Sequence, residues 1–329
     1  MRRAWTPSAP HETPPGRPRH ASEVGPVSAT EPPRDPFFKT ALSLPVLGLL
    51  RLGRHLPLPV LRALGALLGT LLYGLVGRRR RIATINLDLC FPGLAPAQRR
   101  RMVRRHFVLF AQAWLDRGWL WEGRPEVVRE RLRLTGAVEE LHRPEPTLLF
   151  APHFVGMDAG WIALTAHVDR RFCGLYARQR NPVMDRWMAE GRRRFGEPHI
   201  VAKNAGLKAL VSALRSGEPL YLLPDMDYGK RDSIFVPFYG VSAATIPSLS
   251  RFARMGGARV LPILSRLTPQ GYEITVLPPW QDFPTEDVPA DTARMNRELQ
   301  TWIDATPEQY YWVHKRFKTR PPGEASFYR

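Results

Sequence analysis

Residues 56–77, LPLPVLRALGALLGTLLYGLVG, run for 22 residues with a single interior charge, Arg62. No other stretch limits the folding of this chain so severely. As an α-helix it would rise about 33 Å, enough to cross the roughly 30 Å hydrocarbon layer of a bilayer. So much apolar surface must face either lipid or protein. Arg62 keeps a second geometry open, a helix lying in the membrane interface rather than spanning it. Gly65 and Gly69 form a Gly-x-x-x-Gly spacing that permits close helix approach, and the reading preferred is that they fit the helix to its own domain. RRRR follows at Arg78–Arg81, and under the positive-inside rule these arginines sit at the cytoplasmic headgroups. The expectation is a membrane anchor with a basic flank over residues 40–81, and a main domain over residues 82–329 on the cytoplasmic side.

Ahead of the anchor, residues 1–36 are crowded with proline and small polar residues and lack apolar periodicity, so a disordered arm is expected there. The arm has no short apolar core or cleavage site of a secretory signal, and export is not expected. Across the chain, 48 Lys+Arg against 30 Asp+Glu give a formal charge of +18, which calls for an anionic partner. Charge alone does not choose between a lipid surface, a nucleic acid and an acidic protein. The two cysteines, Cys90 and Cys173, are far apart and lack metal or redox spacing, which predicts a reducing compartment and no structural metal. Residues 96–121 read as a basic amphipathic helix with Trp114, Trp119 and Trp121 late. Tryptophans there suit a membrane-facing surface or a core helix with a solvated basic face, with equal weight.

Beyond residue 145 short apolar runs alternate with helical stretches, the pattern of an α/β domain. Strands are predicted at 147–150, 172–177, 200–202, 220–224, 259–264 and 272–277. Helices are predicted at 157–166, 182–195, 205–216, 247–255 and 291–305.

Within this region LLFAPHFVGMDAG, residues 148–160, sets His153 and Asp158 into apolar and glycine-rich surroundings. Five residues along one regular helix would leave the two side chains about 140° apart. If 147–150 is a strand, 151–156 a turn and the helix begins near Met157, the turn can fold them together, with Gly156 supplying backbone freedom. A carboxylate on one imidazole nitrogen fixes the tautomer and lets the other nitrogen act as general base. The plainer alternative is an aspartate capping a helix start.

FAPHFVGMDAG resembles the His-x4-acid block of the lysophospholipid-acyltransferase superfamily, and specifically its bacterial lipid A secondary acyltransferase branch. Three further blocks are similar to that branch: YARQRNPVMDRWMAEGRRRFG at 176–196, LLPDMDYGKRDSIFVPFYGVSAAT at 222–245 and PEQYYWVHKRFKTRPPG at 307–323. The resemblance covers about residues 40–329. It implies a glycerol-phosphate-acyltransferase-like fold, a mixed sheet flanked by helices. It also implies acyl transfer from an acyl carrier protein thioester to a hydroxyl of an anionic glycolipid, a lipid A precursor, at the inner face of the bacterial inner membrane.

In that setting His153 is the general base and Asp158 holds its ring, with no acyl-enzyme. Arg178 and Asn181 in the second block are expected at the substrate, Arg178 through phosphate or carboxylate. Asp225 and Asp227 are expected to orient Arg178 or a substrate hydroxyl. In the last block Lys315, Arg316, Lys318 and Arg320 either face phospholipid or belong to a C-terminal helix packed on the core. One departure is that many members of the lipid A branch carry glutamate where this chain has Asp158.

The chain has no Gly-x-Ser-x-Gly elbow, and Cys173 falls in a predicted buried strand as a packed thiol rather than a nucleophile. It has no phosphate loop and no His-Glu-x-x-His, so neither ATP, another cofactor nor a metal is expected. Nucleic acid is not an expected partner. The rivals are an acyltransferase for another lipid, such as a lysophospholipid or an amino-acid lipid, and a non-catalytic basic membrane-binding protein.

Overall fold

Proline opens three of the first five helices. In a computed structural model describing residues 37–202 and 206–328, α1 spans Phe37–Gly53, α2 Leu58–Leu75, α3 Gly77–Cys90, α4 Pro96–Glu122 and α5 Pro125–Arg131. Pro59, Pro96 and Pro125 stand in the first turns of α2, α4 and α5. There the missing N–H costs no intrahelical bond and the fixed φ favours the helix. The arm expected over residues 1–36 lies outside the described residues.

The helices are followed by β1 (Leu132–Gly136), β2 (Thr147–Phe150), α6 (Met157–His167), β3 (Cys173–Tyr176), α7 (Pro182–Arg192), β4 (His199–Ala202), α8 (Leu207–Arg215) and β5 (Leu220–Leu222). Then come β6 (Ile234–Phe238), β7 (Val241–Thr245), α9 (Ser248–Gly256), β8 (Arg259–Thr268), β9 (Gly271–Val276) and α10 (Val288–Ala305). Seven strands form one sheet in the order β1-β9-β8-β2-β5-β3-β4, and β6 and β7 make a separate hairpin. The strands β8, β2, β5, β3 and β4 are mutually parallel, and β9 runs antiparallel to β8 with β1 parallel beside it. The result is the expected α/β fold, a mixed sheet flanked by helices. All four residues of β2 are buried, as a strand covered on both faces requires.

Every strand and helix predicted beyond residue 145 is present, with ends shifted by at most four residues. The half-buried edge strand β1, the hairpin with Pro237 in it and the short α5 were not predicted, because segments of five to seven residues carry too little periodicity.

The apolar helix packs on α4. A Cβ at Gly65 would stand 2.6 Å from Gln112 Cγ, and one at Gly69 would stand 2.4 Å from Val108 Cα. The two glycines therefore serve the domain's own packing. Arg62 is not lipid-facing: it pairs with the fully buried carboxylate of Asp116. Asp116 also accepts from Trp119 Nε1 at 2.9 Å and from the Tyr272 hydroxyl at 2.7 Å, so one carboxylate ties α2 and α4 to β9.

Trp119 and Trp121 are buried in the core and Trp114 is half-buried, while Arg100, Arg101, Arg104 and Arg105 occupy the helix's exposed face, so of the two readings of this helix the core helix with a solvated basic face is the one present. Arg78–Arg81 fall in the first turns of α3, so residue 81 lies inside a helix.

Because Gly69 meets backbone and Gly74 meets nothing within 4 Å, Gly69→Ala should destabilise the protein by about 1–3 kcal/mol through overpacking. Gly74→Ala should be neutral or stabilise it by up to about 1 kcal/mol through helix propensity. Thermal unfolding of the two variants side by side checks this.

Candidate active site

The backbone of His153 is held from two sides before its ring is considered. Beyond the end of β2, the Ala151 N–H still donates to the Leu222 carbonyl of β5 at 3.0 Å. The chain then turns, and the segment 309–311 crosses it. Tyr311 N–H donates to the His153 carbonyl and Val155 N–H to the Gln309 carbonyl, each at 2.9 Å, around an antiparallel bridge between Phe154 and Tyr310. The clamped loop lies at the carboxyl edge of parallel strands, where open α/β sheets place their ligands.

The neighbouring strand β5 delivers the carboxylate. Just past its end, Asp225 accepts the His153 N–H at 3.0 Å through Oδ2, and its Oδ1 lies 2.7 Å from His153 Nδ1. Asp225 is fully buried. Burial raises its pKa, but the two hydrogen bonds from His153, and the charge that ring carries when protonated, outweigh that and hold the carboxyl below its ordinary range. A carboxylate on Nδ1 assigns the proton to that nitrogen, leaving Nε2 with the lone pair. The ring is 16% exposed, and Nε2 makes no hydrogen bond among the described residues.

Asp158 does not hold the ring, which corrects the expected pairing. From the first turn of α6 its Oδ2 accepts from Arg117 Nη2 at 2.5 Å, and its Oδ1 accepts from Arg192 Nε at 3.0 Å and Nη2 at 2.7 Å. A buried carboxylate is compensated better by two guanidiniums, one of them giving two N–H bonds, than by a single imidazole N–H. Burial alone would raise its pKa, yet Arg192 and Arg117 bring it down to about 2. Arg117 also stacks over Trp114 at 4.3 Å. Asp158 thus joins α4, α6 and α7 immediately behind the His153 loop.

Of the other expected site residues, Asp227 accepts from Thr319 N–H at 2.7 Å, Thr319 Oγ1 at 2.9 Å and Gly229 N–H at 2.9 Å. It fastens the 225–229 turn to the C-terminal block, and neither it nor Asp225 pairs with Arg178. Arg178 is exposed in the loop after β3, at the same sheet edge as His153. Asn181 is the N-cap of α7, accepting from Val183 N–H at 3.0 Å and Met184 N–H at 3.1 Å and donating to Ser43 Oγ of α1. Those contacts cap α7 and tie it to α1.

In the C-terminal block, of the two alternatives of a lipid-facing basic cluster and a helix packed on the core, no α-helix covers residues 310–323 among the described residues. Arg316 is buried and donates to the Ala244 carbonyl and Thr245 Oγ1, and Arg320 donates to the Ser242 carbonyl. Both tie down β7 instead of facing lipid.

Sequence reasoning missed Arg117, Arg192, Tyr311 and His314. The Tyr311 ring lies 6.3 Å from that of His153. The His314 pKa is lowered to about 4 by burial and then by the charges of His153 and Lys318, so it stays neutral at neutral pH. The signal for Arg117 was the opposite-charge pair in AWLDRGWLW, residues 113–121, and Tyr311 and His314 stand inside the quoted 307–323 block.

A cavity of about 60 Å³ adjoins Asp158, lined by Trp161, Leu175, Tyr221 and Leu223. That is room for about two waters. At the opposite edge of the sheet Cys173, His199 and Glu218 offer ligand atoms within 4.8 Å of one another. There His199 Nδ1 is already bonded to Glu218 at 2.7 Å. Burial and then the Glu218 charge raise the Cys173 thiol to about 12, so this is a packed thiol beside a His199–Glu218 hydrogen bond.

An imidazole with one nitrogen held by a buried carboxylate and the other available for a proton is the equipment of a group-transfer enzyme, and kinship supplies the group. Residues 37–319 match the family described as bacterial lipid A biosynthesis acyltransferase. The chain belongs to that family, and is an O-acyltransferase. The lipid A biosynthesis lauroyltransferase of Escherichia coli (strain K12) is 35% identical, over 89% of this chain and 99% of its own. The palmitoleoyltransferase of the same strain is 32% identical over 86% and 92%, and its myristoyltransferase 34% over 82% and 84%. Among solved structures, the 1-acyl-sn-glycerophosphate acyltransferase PlsC of Thermotoga maritima aligns over 71% of this chain and 97% of its own, with a TM-score of 0.33 and 16% identity.

The Asp158 carboxyl titrates at about 2 against an ordinary 3.8. Its contribution to stability is therefore complete above the unfolded value and lost as pH falls from 3.8 through about 2. Asp158→Asn should cost about 3–5 kcal/mol at neutral pH, because two guanidiniums lose their counter-charge. Denaturant titrations of both proteins over an acid series should show that gap narrowing across the same window.

Proposed function

We propose that the chain transfers a fatty acyl group from an acyl carrier protein thioester to a hydroxyl of a lipid A precursor, at the cytoplasmic face of the inner membrane. The single observation that carries the chemistry is the 2.7 Å contact between His153 Nδ1 and Asp225 Oδ1. The family carries the substrate class, since the curated relatives are named for lipid A.

In this reading the acceptor hydroxyl approaches Nε2. As its oxygen attacks the thioester carbonyl carbon, the hydroxyl proton passes to Nε2, and Asp225 stabilises the resulting imidazolium. The tetrahedral oxyanion collapses, the carbon–sulfur bond breaks, and the imidazolium returns its proton to the departing thiolate. The products are an ester and a thiol, and the enzyme ends unmodified with no acyl-enzyme formed. Asp158 acts one step removed, as a positioning residue that fixes the start of α6 behind the His153 loop. Arg178, exposed at the same edge, is the cation proposed to meet an acceptor phosphate, for which a guanidinium fork is suited.

His153→Ala should lower kcat/KM by about 10²–10⁴ and also lower the melting temperature, because the buried Asp225 carboxylate keeps only a backbone N–H, so rates are compared where both proteins are folded; Asp225→Asn should lower kcat because the amide disturbs the tautomer. Product formation from an acyl carrier protein thioester and a lipid A precursor, followed by mass spectrometry, is the assay. A lysophospholipid acceptor runs in parallel. An undiminished rate in His153→Ala overturns the mechanism, and preference for the lysophospholipid overturns the acceptor.

A further inference from the structure

Three side chains able to ligate a metal meet at the edge of the sheet away from His153. Cys173 opens β3, His199 opens β4, and Glu218 stands two residues ahead of β5. Cys173 is in register with His199 across the β3–β4 pair and with Leu220 across the β3–β5 pair. Backbone hydrogen bonds fix all three positions. Cys173 N–H donates to the Pro219 carbonyl and His199 N–H to the Phe172 carbonyl, each at 2.8 Å, and Glu218 N–H donates to the Ala213 carbonyl at 3.0 Å. The sulfur, one imidazole nitrogen and one carboxylate oxygen all lie within 4.8 Å of one another.

A tetrahedral Zn²⁺ with bonds of about 2.0–2.3 Å to nitrogen, oxygen and sulfur sets its ligand atoms about 3.3–3.6 Å apart. Side-chain rotations that move these atoms by about 1 Å therefore close all three onto one ion while the strands stay in place. A thiolate and a carboxylate together balance the charge of a dication, as a site with little water requires. Sulfur and imidazole select a borderline-soft ion over Mg²⁺ or Ca²⁺, which take oxygen ligands. Cys173 is fully buried, whereas the Glu218 and His199 side chains are 16% and 38% exposed. The sulfur is thus the floor of the site, and the other two ligands are its entry from solvent. Arg171 Nη1 lies 3.5 Å from Glu218 Oε1 and orients the carboxylate, whose Oε2 is the atom bonded to His199.

We propose that Cys173, His199 and Glu218 form a zinc site, with water completing the coordination, that clips β4 to β3 and to the segment leading into β5. Among the described residues β4 pairs with β3 alone and ends the sheet, so it is the strand with most to gain from a further tie. With its proton, Cys173 is a packed thiol. When Zn²⁺ binds, that proton leaves to solvent and the sulfur ligates as thiolate, while the imidazole ligates in its neutral form with its proton on the other nitrogen. Nothing is oxidised or reduced. The ligands stand at the amino ends of β3 and β5, and the loops carrying Arg178 and Asp225 leave the carboxyl ends of the same strands. The ion therefore holds the sheet and takes no part in acyl transfer, and the site does not depend on the functional reading above.

The test titrates the full chain, stripped of metal, without a histidine tag and in a thiol-free reductant, with Co²⁺ as a spectroscopic probe. Stoichiometric binding should bring a near-ultraviolet thiolate-to-cobalt charge-transfer band together with the visible bands of four-coordinate cobalt. Added Zn²⁺ should abolish both, since zinc outranks cobalt for such ligands. Cys173→Ser should remove the charge-transfer band and Cys90→Ala should keep it. Cobalt bound without that band, or a band that persists in Cys173→Ser, overturns the site.

His199→Ala and Glu218→Gln alter partly exposed side chains and keep the test decisive if Cys173→Ser fails to fold. Each should weaken zinc binding at least about 100-fold. Zn²⁺ at about 100 times its Kd should raise the melting temperature of the unsubstituted protein by about 4 °C and leave that of His199→Ala unmoved. An equal rise in both overturns the site. Acyl transfer, measured where both forms are folded, should run at the same rate with and without zinc, and a rate that requires zinc overturns the structural role.

Discussion

Two hydrogen bonds from one histidine to one buried carboxylate organise this molecule. Asp225 receives both the backbone N–H and Nδ1 of His153, so the ring cannot rotate or change tautomer without exposing a charge that has no water to solvate it. The arrangement requires β2 and β5 to be parallel neighbours that release their loops at the same edge. It also requires the 309–311 segment to hold the histidine loop from the other side. A low-dielectric setting makes such a pair strong when satisfied and costly when broken.

Two further buried carboxylates brace this pair. Asp158 collects Arg117 and Arg192, and Asp116 collects Arg62, Trp119 and Tyr272. Each is a junction between helices that apolar packing alone would leave free to slide, and together they make α4 the spine between the apolar helices and the sheet. The same spine explains how an apolar N-terminal segment can be both a structural part of the domain and its outer surface. One face of α2 is consumed by α4, and the other is exposed among the described residues.

Much of the fold was legible in the residues. Continuous apolar runs such as TLLF marked the buried strands, and Met157 as a helix start and Pro182 as a first helical residue were found at the positions read from sequence. The site was legible in its histidine and in the blocks around it. The partner of that histidine was not, because Asp158 and Asp225 are equally good acceptors on paper and lie five and seventy-two residues away. Local spacing favoured the nearer. Its two arginines, in α4 and α7, decided otherwise, since a carboxylate without solvent goes to the strongest donors in reach. The same blindness applied to Trp119 and Arg316, each of which has a chemistry suited to a membrane surface and each of which is buried.

The sequence by itself determined what depends on neighbours along the chain: the alternation of strands and helices, the apolar segment that must face lipid or protein, and the histidine in a turn after a buried strand. Only the tertiary structure decided which carboxylate holds that histidine, which arginines are structural, and which face of the apolar helix remains open. Those outcomes come from competition among groups far apart in sequence for a few buried positions, and that competition has no signature in local periodicity.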